Sequence, residues 1–199
     1  MQTLPRLIVA TRNAHKTAEI RAMIGDRFVV MNSDDFPETP VIEETGVTFL
    51  ENARLKAEGI SRVVDGWVLS DDSGLEVDAL DGAPGVWSSS YGGEEGNHAK
   101  NNARLLAEMA GKPDRQARFR CTMVLAREGL EIANFSGSVE GRIIDSLKGA
   151  AGFGYDPLFI PDGYEQTFAE LGDDVKNSLS HRSRALAQVI EYLEHLRSK

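Results

Sequence analysis

Six consecutive residues, Ser70-Asp71-Asp72-Ser73-Gly74-Leu75, carry the most recognisable chemistry in this sequence. The two adjacent carboxylates come directly after the apolar run Trp67-Val68-Leu69, where a buried strand would end. Acidic side chains at a strand end are well placed to hold a metal ion. We expect a turn here, because Gly74 can adopt the backbone angles that a tight turn requires. An ordinary solvated Asp-Asp-Ser-Gly turn without further function is the alternative.

The two aspartates can share one role only if the chain turns between them. Adjacent side chains on an extended strand point to opposite faces of the sheet. Without a turn, Asp71 and Asp72 would therefore have different neighbours and different functions.

A second polar cluster, Thr11-Arg12-Asn13-Ala14-His15-Lys16, follows an apolar strand predicted at residues 6–10. Hydrogen bonds from Thr11 and Asn13, the charge of Lys16 and the start of the next helix make this junction a candidate phosphate-binding turn. The Gly-x-x-x-x-Gly-Lys-Ser/Thr pattern of a P-loop is not present. A helix with an ordinary N-terminal cap is the alternative.

Composition excludes several classes of protein. The chain has 199 residues, of which 41% are hydrophobic and 27% charged, as in soluble globular proteins. A net charge of −9 argues against a broad nucleic-acid-binding surface. No apolar stretch approaches the ~20 residues that cross a bilayer. The single cysteine, Cys121, excludes an internal disulfide, and we expect it in the core of a protein of the reducing cytoplasm.

The elements that must position these residues are strands and helices in alternation. Hydrophobic periodicity predicts strands at residues 6–10, 28–31, 117–125 and 130–135, and helices ending before Gly25, at 49–64, at 98–110 and after Ser178 or Ser180. Thr48 and Glu51 form a capping box for the helix at 49–64. In that helix Lys56 lies at the edge of the apolar face, where a lysine either extends outward or reaches an interior anion. The long alternating run at 117–125 favours a mixed sheet over a parallel one.

Two segments near the C-terminus are candidates for ligand contact. Glycines on both sides of Phe153, in Gly152-Phe153-Gly154-Tyr155-Asp156-Pro157, would let a planar ligand approach the backbone and the ring, although a flexible connector is the alternative. The last helix opens with His181, Arg182 and Arg184, and cations are unfavourable at a helix start. A nearby anion or polar ligand would compensate for them, or else Asp173 or Asp174 would.

Five segments in this order resemble the inosine triphosphate pyrophosphatase family, the Ham1-type pyrophosphatases of non-canonical purine nucleoside triphosphates. They are residues 11–16, Glu43-Glu44-Thr45-Gly46 with residues 48–53, residues 70–75, residues 152–157, and Ser180-His181-Arg182. The resemblance covers nearly the whole chain. It implies a single domain over residues 1–199 with an elongated two-lobed α/β fold, a long central mixed sheet flanked by helices, and an active-site cleft between the lobes.

The resemblance also implies roles for individual residues. Asp72 resembles the catalytic carboxylate that activates water, supported by Asp71, and Lys56 and Lys16 resemble the lysines that neutralise phosphate. The implied metal ligands are Asp72 with Glu44 and Glu43, of which we favour Glu44. The remaining implied substrate contacts are Thr11, Arg12, Asn13, Ala14, His15, Ser73, Phe153, Gly154, Tyr155, Asp156, Lys176, His181 and Arg182.

The activity implied by the resemblance is Mg²⁺-dependent hydrolysis of ITP, dITP and XTP to the monophosphate and pyrophosphate by a cytoplasmic homodimer. Phe153 would stack on the purine, and a fixed donor such as Arg182 or a backbone N–H would be left unpaired by adenine. Two departures from the family are Arg12, where many relatives have glycine, and Ser89-Ser90-Tyr91 in place of Ala-Arg-Tyr. A Maf-like pyrophosphatase acting on modified pyrimidines and a nucleotide-binding module without catalysis are the alternative functions.

Overall fold

Strands and helices alternate along the chain in the computed structural model, which describes residues 5–197. The strands are β1 (Arg6–Val9), β2 (Val29–Asn32), β3 (Trp67–Val77), β4 (Gln116–Arg127), β5 (Leu130–Ile143) and β6 (Phe159–Pro161). The helices are α1 (Ala14–Ile24), α2 (Phe49–Ser61), α3 (His98–Met109), α4 (Phe168–Leu179) and α5 (His181–Arg197).

The six strands form one mixed sheet in the order β2-β1-β3-β4-β5-β6. Strand β1 is parallel to both β2 and β3, with Leu7 beside Trp67 and Val9 beside Leu69. Strands β5 and β6 are antiparallel. The predicted α/β class with a mixed sheet is confirmed.

Strand β3 continues through the Asp-Asp-Ser-Gly segment, so the predicted turn at Gly74 is wrong. The strand runs from Trp67 to Val77 without interruption and lies between β1 and β4 in the sheet. Backbone pairing in the interior of a sheet holds the chain extended, and this outweighs the tendency of Asp, Ser and Gly to form turns. Asp71 and Asp72 therefore point to opposite faces of β3.

The chain folds as two compact units. Within residues 5–197, unit 1 comprises the chain up to Asp72, Cys121–Ser136 and the chain from Arg182 onward, whereas unit 2 comprises Ser73–Arg120 and Gly137–His181. The prediction of a single domain, and that of a cleft between two lobes, stay predictions.

In unit 1, helices cover both faces of the sheet. On one face Leu69 packs with residues of α1 and α5, including Ile20 and Val189. On the other face Val68 packs with Ile60 of α2. Alternation along β3 therefore directs Asp71 toward α1 and α5, and Ser70 and Asp72 toward α2. The Ser70 hydroxyl donates to the carbonyl of Ala53 in α2 over 2.6 Å, which fixes this helix against the strand.

Unit 2 has a core of its own, to which β3, α3, β4, β5 and α4 contribute apolar side chains. Helix α4 was not among the sequence predictions. Its signal is the capping box of Thr167 and Glu170, in which the Thr167 hydroxyl accepts from Glu170 N and the Glu170 carboxylate accepts from Thr167 N.

The predicted helix ends agree with the structure within a few residues. The capping box of Thr48 and Glu51 is confirmed, and α2 ends at Ser61, three residues before the predicted end. Helix α5 begins directly after Ser180. Near the end of α5, the Leu193 side chain is buried, whereas that of Leu196 is 37% exposed. Between residues 5 and 197 no helix is long and apolar enough to cross a membrane.

Candidate active site

Asp71 is a fully buried carboxylate whose oxygens are occupied by donors from three elements. Oδ1 lies 2.6 Å from Lys16 Nζ in α1, and Oδ2 accepts from Arg182 Nε at 2.9 Å and from the Cys121 thiol at 3.1 Å. Burial opposes the ionisation of Asp71, but the charges of Arg182 and Lys16 outweigh it and hold the pKa of this carboxyl well below its ordinary value. Asp71 is therefore a permanently charged anchor for two cations.

Asp72, the next residue, has almost no partners. Its Oδ1 lies 3.4 Å from Lys56 Nζ, and its buried Oδ2 has no hydrogen-bond partner among the described residues. Burial raises the pKa of Asp72 to about 6, although Lys56 and Lys16 act in the opposite direction. A buried carboxylate with an unused oxygen and a pKa near neutrality has the properties of a general base.

Lys56 reaches the interior from α2 rather than extending outward, and it joins two carboxylates. Its Nζ lies 2.7 Å from Glu44 Oε2 and 3.4 Å from Asp72 Oδ1. Burial lowers the pKa of Lys56, but the charges of Asp72 and Glu44 outweigh it and raise this pKa above its ordinary value. Lys56 therefore stays protonated between the two acids.

Asp72 and Glu44 offer oxygen ligands of the kind that Mg²⁺ prefers. In the described part of the chain, no group of three or more His, Cys, Asp or Glu side chains is placed to hold a metal ion. Mg²⁺ commonly takes one or two carboxylates from the protein and completes its coordination with substrate phosphates and water. The unused Oδ2 of Asp72 and the exposed carboxylate of Glu44 fit such a site. Glu43 is also exposed, and of the two adjacent glutamates it is Glu44 that binds Lys56.

The predicted phosphate-binding turn forms a capped helix start. The Asn13 side chain accepts from the backbone N–H of His15 at 3.0 Å and of Lys16 at 3.2 Å, and the Thr11 hydroxyl accepts from Asn13 N at 3.1 Å. Ala14 is the first residue of α1. The start of α1 is thus capped, and the ammonium group of Lys16 extends from this first turn to Asp71, while phosphate binding at this turn stays a prediction.

Arg12, one of the departures from the family pattern, is directed to a neighbouring loop. Its Nη2 donates to the carbonyl of Thr39 at 3.0 Å, and its Nε lies 3.7 Å from Asp34. Its side chain is 45% exposed. Arg12 therefore has its own partners within unit 1.

In unit 2, the glycine-rich segment closes around a buried ion pair. Asp156 Oδ2 accepts from Lys176 Nζ at 2.6 Å and from Phe153 N at 2.8 Å. Lys176 Nζ also lies 4.5 Å from the centre of the half-buried Phe153 ring. Gly152 and Gly154 both have positive φ, and a Cβ at Gly152 would overlap the Asp156 carboxylate. The Tyr155 hydroxyl donates to the carbonyl of Ser88 at 2.9 Å.

The remaining predicted site residues belong to different environments. Ser73 follows Asp72 on β3 and is partly buried. His181 is buried in unit 2, where its ring stacks on Phe119 with centroids 5.0 Å apart. The Arg182 side chain, in unit 1, is 1% exposed and binds both Asp71 and Glu19. The cation at the start of α5 is thus compensated by the protein's own carboxylates.

The structure therefore brings the predicted residues together in two groups. The group in unit 1 contains Lys16, Glu44, Lys56, Asp71, Asp72 and Arg182, and the group in unit 2 contains Phe153, Gly154, Asp156 and Lys176.

A model of the Ham1 family matches residues 7–192, which is nearly the whole chain. The protein belongs to the Ham1 family. It is 47% identical to the dITP/XTP pyrophosphatase of Geobacter sulfurreducens over 96% of this chain and 97% of that relative. Identity to the dITP/XTP pyrophosphatase of Bacillus licheniformis is 46%, over 96% of this chain and 99% of the relative. The resemblance inferred from five segments is confirmed.

A solved structure of a HAM1 protein from Coxiella burnetii is 36% identical to this Ham1-family chain and has a TM-score of 0.87. The match covers 97% of this chain and 100% of that one. The mixed sheet flanked by helices is therefore the fold of a solved Ham1 structure.

Two contacts of this Ham1 site were not predicted from the sequence. Glu19, which binds Arg182, lies one helical turn after Lys16 on α1. Residues at this spacing share a helix face, so the sequence could have placed Glu19 in the same cluster as Lys16. Cys121 was correctly predicted to lie in the core, but its thiol also donates to Asp71. A buried cysteine in an alternating strand carries no sequence signal for that contact.

Proposed function

We propose that this protein is a Mg²⁺-dependent pyrophosphatase that hydrolyses ITP, dITP and XTP to the monophosphate and pyrophosphate. The observation that carries the proposal is the contrast at Asp71 and Asp72, in which one carboxylate is saturated by cations and the next retains a buried, unused oxygen. The relatives from Geobacter sulfurreducens and Bacillus licheniformis are named dITP/XTP pyrophosphatases, which agrees with this substrate class.

The phosphate end of the substrate is assigned to unit 1. Lys16 and Lys56 both present ammonium groups that are partly buried against carboxylates, where charge is screened less than at the surface. Both can neutralise the charge that develops on the leaving pyrophosphate. The N-terminal end of α1, with Thr11, Asn13 and His15, adds a favourable dipole for an anion.

Asp72 is assigned as the base that orients and deprotonates the attacking water. In the metal-free protein the pKa of Asp72 is raised to about 6, which leaves the carboxylate ionised at neutral pH. Asp72 and Glu44 would hold Mg²⁺, which, when bound, neutralises triphosphate charge and acidifies coordinated water. Asp71 does not take part as a base, since Lys16 and Arg182 already occupy its oxygens.

The purine is assigned to Phe153, Lys176 and the backbone that surrounds them in unit 2. Hypoxanthine presents an acceptor at position 6 and a donor at N1, whereas adenine presents the reverse. A fixed donor such as a backbone N–H of this segment would be satisfied by the first base and unpaired by the second, which can reduce the rate by about 10⁴.

The deciding experiment measures pyrophosphate and orthophosphate separately for ITP, XTP, ATP and GTP, with and without Mg²⁺. We expect pyrophosphate from ITP and XTP with Mg²⁺, and little product from ATP. Asp72→Asn should lower kcat by about 10²–10⁴, the usual worth of a positioned base. Asp65→Asn, at an exposed acid shortly before β3, is the matched control and should keep the wild-type rate.

Other outcomes would replace the proposal. Faster cleavage of deoxyuridine or thymidine triphosphate than of ITP would favour a Maf-like enzyme. Binding of ITP without turnover would favour a nucleotide-binding module.

We also propose, from the family resemblance, that the protein is a cytoplasmic homodimer. Light scattering of the purified protein tests whether it is a dimer.

A further inference from the structure

Helix α3 in unit 2 carries two adjacent buried asparagines with different hydrogen bonding. Asn101 is 1% exposed, and both ends of its amide are used: Oδ1 accepts from Gly92 N at 2.6 Å, and Nδ2 donates to the carbonyl of Ser89 at 2.9 Å. This residue joins α3 to the preceding loop, so its burial is explained by structure alone.

Asn102 is satisfied only in part. Its Nδ2 donates to the carbonyl of Gly154 at 3.0 Å, while its buried Oδ1 has no partner among the described residues. The residue is 6% exposed. A buried amide with an unmade hydrogen bond is less favourable than an apolar side chain of similar size. Stability alone therefore does not account for an asparagine here.

The carbonyl that Asn102 holds belongs to the segment around Phe153. Gly154 has φ +64°, and a Cβ at this position would meet no atom within 4 Å, so no neighbouring atom lies on this side of its Cα. On the other side, Phe153 N donates to the Asp156 carboxylate. Glycine has the widest range of backbone dihedral angles, and the hydrogen bond from Asn102 restricts that range at Gly154.

We propose that Asn102 is a positioning residue, which holds Gly154 so that the Phe153 ring is preorganised to stack on the purine. The inference rests on the proposed function, because that function assigns Phe153 to the base. A partly unsatisfied buried amide is retained because its one hydrogen bond sets the geometry of a binding segment.

Asn102→Leu tests the proposal, with Asn101→Leu as the matched control one residue away. Asn102→Leu should raise KM for ITP about fivefold to tenfold, the usual worth of one hydrogen bond, and leave kcat within about twofold. Its Tm should fall less than that of Asn101→Leu, since it loses one made hydrogen bond, to Gly154 O, and removes the unmade one, whereas Asn101→Leu loses two made hydrogen bonds. Asn101→Leu should lower Tm, because it leaves Gly92 N and Ser89 O unpaired, and should change KM less.

Amide hydrogen exchange gives a measurement that needs no substrate. Exchange at Phe153, Gly154 and Tyr155 should be faster in Asn102→Leu than in the wild type. If ITP is not a substrate of the wild type but exchange responds as expected, the proposed function fails and the positioning of the segment stands. Unchanged KM and exchange would overturn the inference, as would a fall in Tm as large as that of Asn101→Leu. If Asn102→Leu does not fold, Asn102→Ala is measured by the same criteria.

Discussion

Asp71 and Asp72 are neighbours on β3, yet their carboxylates lie on opposite faces of the strand and have opposite electrostatic surroundings. Asp71 faces Lys16 and Arg182, whose charges lower its pKa, whereas Asp72 faces α2, where burial raises its pKa to about 6. The difference arises because an extended backbone turns successive side chains to opposite faces. One residue can therefore anchor cations while the next stays reactive.

Asp72→Asn should stabilise the protein at neutral pH in the absence of metal. Between pH 3.8 and about 6 the folded wild type keeps a proton on Asp72 that the unfolded chain has lost. This contribution to the free energy of unfolding is fully present below pH 3.8 and is lost as pH rises through about 6. Asn stays neutral, so the variant should be more stable at pH 8 by about 3 kcal/mol. Thermal unfolding in EDTA at pH 4.5 and 8 measures the difference, and equal Tm values at pH 8 would contradict it.

Asp71→Asn should have the opposite effect. The folded-state pKa of Asp71 is depressed, so its stabilising contribution is present above the unfolded pKa and is lost as pH falls toward the folded value. At pH 7 the variant leaves buried Arg182 and Lys16 without their main counter-charge, which should cost about 3–5 kcal/mol. Urea unfolding at pH 7 compares the two variants, and an Asp71→Asn protein as stable as Asp72→Asn would refute the assignment.

Lys56→Met should shift the acid limb of the pH–activity profile upward. The charge of Lys56 lowers the pKa of Asp72, so its removal lets that pKa rise above about 6. The profile of kcat/KM against pH reports this group in the free enzyme. Arg54→Met is the control on the same helix, because Arg54 pairs with Glu131 and is 42% exposed. An unchanged acid limb in Lys56→Met would show that another group titrates there.

Lys176→Met should destabilise unit 2 strongly. Lys176 and Asp156 are 3% and 2% exposed, and removal of the lysine takes away the ammonium group that lies 2.6 Å from this buried carboxylate. Breaking such a pair costs about 3–5 kcal/mol. The double variant Lys176→Met with Asp156→Asn should recover part of the loss, since both charges of the pair are then removed together. Lys148→Met, at an exposed site, should stay within about 0.5 kcal/mol of the wild type.

Alanine at the two glycines beside Phe153 should give unequal effects. Gly154→Ala meets no neighbouring atom, so only the positive φ opposes it, at about 1–2 kcal/mol. Gly152→Ala adds to a similar strain a clash with the Asp156 carboxylate that binds Lys176. We therefore expect Gly152→Ala to lower Tm more and to raise KM for ITP more. Equal effects of the two substitutions would show that the clash is relieved without moving Asp156.

Local patterns in the sequence predicted most of the secondary structure. The alternation at 117–125 predicted β4, and Thr48 with Glu51 predicted the start of α2, because strand periodicity and helix capping depend on residues a few positions apart. The same reasoning from local residue types gave a wrong prediction for the Asp-Asp-Ser-Gly segment. Its residues favour a turn, but pairing with strands distant in sequence keeps it extended.

The sequence by itself determined that this is an α/β protein of the Ham1 family with an acidic, lysine-containing candidate site, since ordered motifs and periodicity are properties of the chain. Only the tertiary structure decided how the charges are paired. Arg182 lies 111 positions from Asp71, and Lys56 meets Glu44 and Asp72 only because α2 covers one face of β3. The packing of strands and helices against one another determines which charged groups become neighbours. These neighbours set the pKa of each carboxylate, because Coulomb interactions and desolvation depend on distance in space.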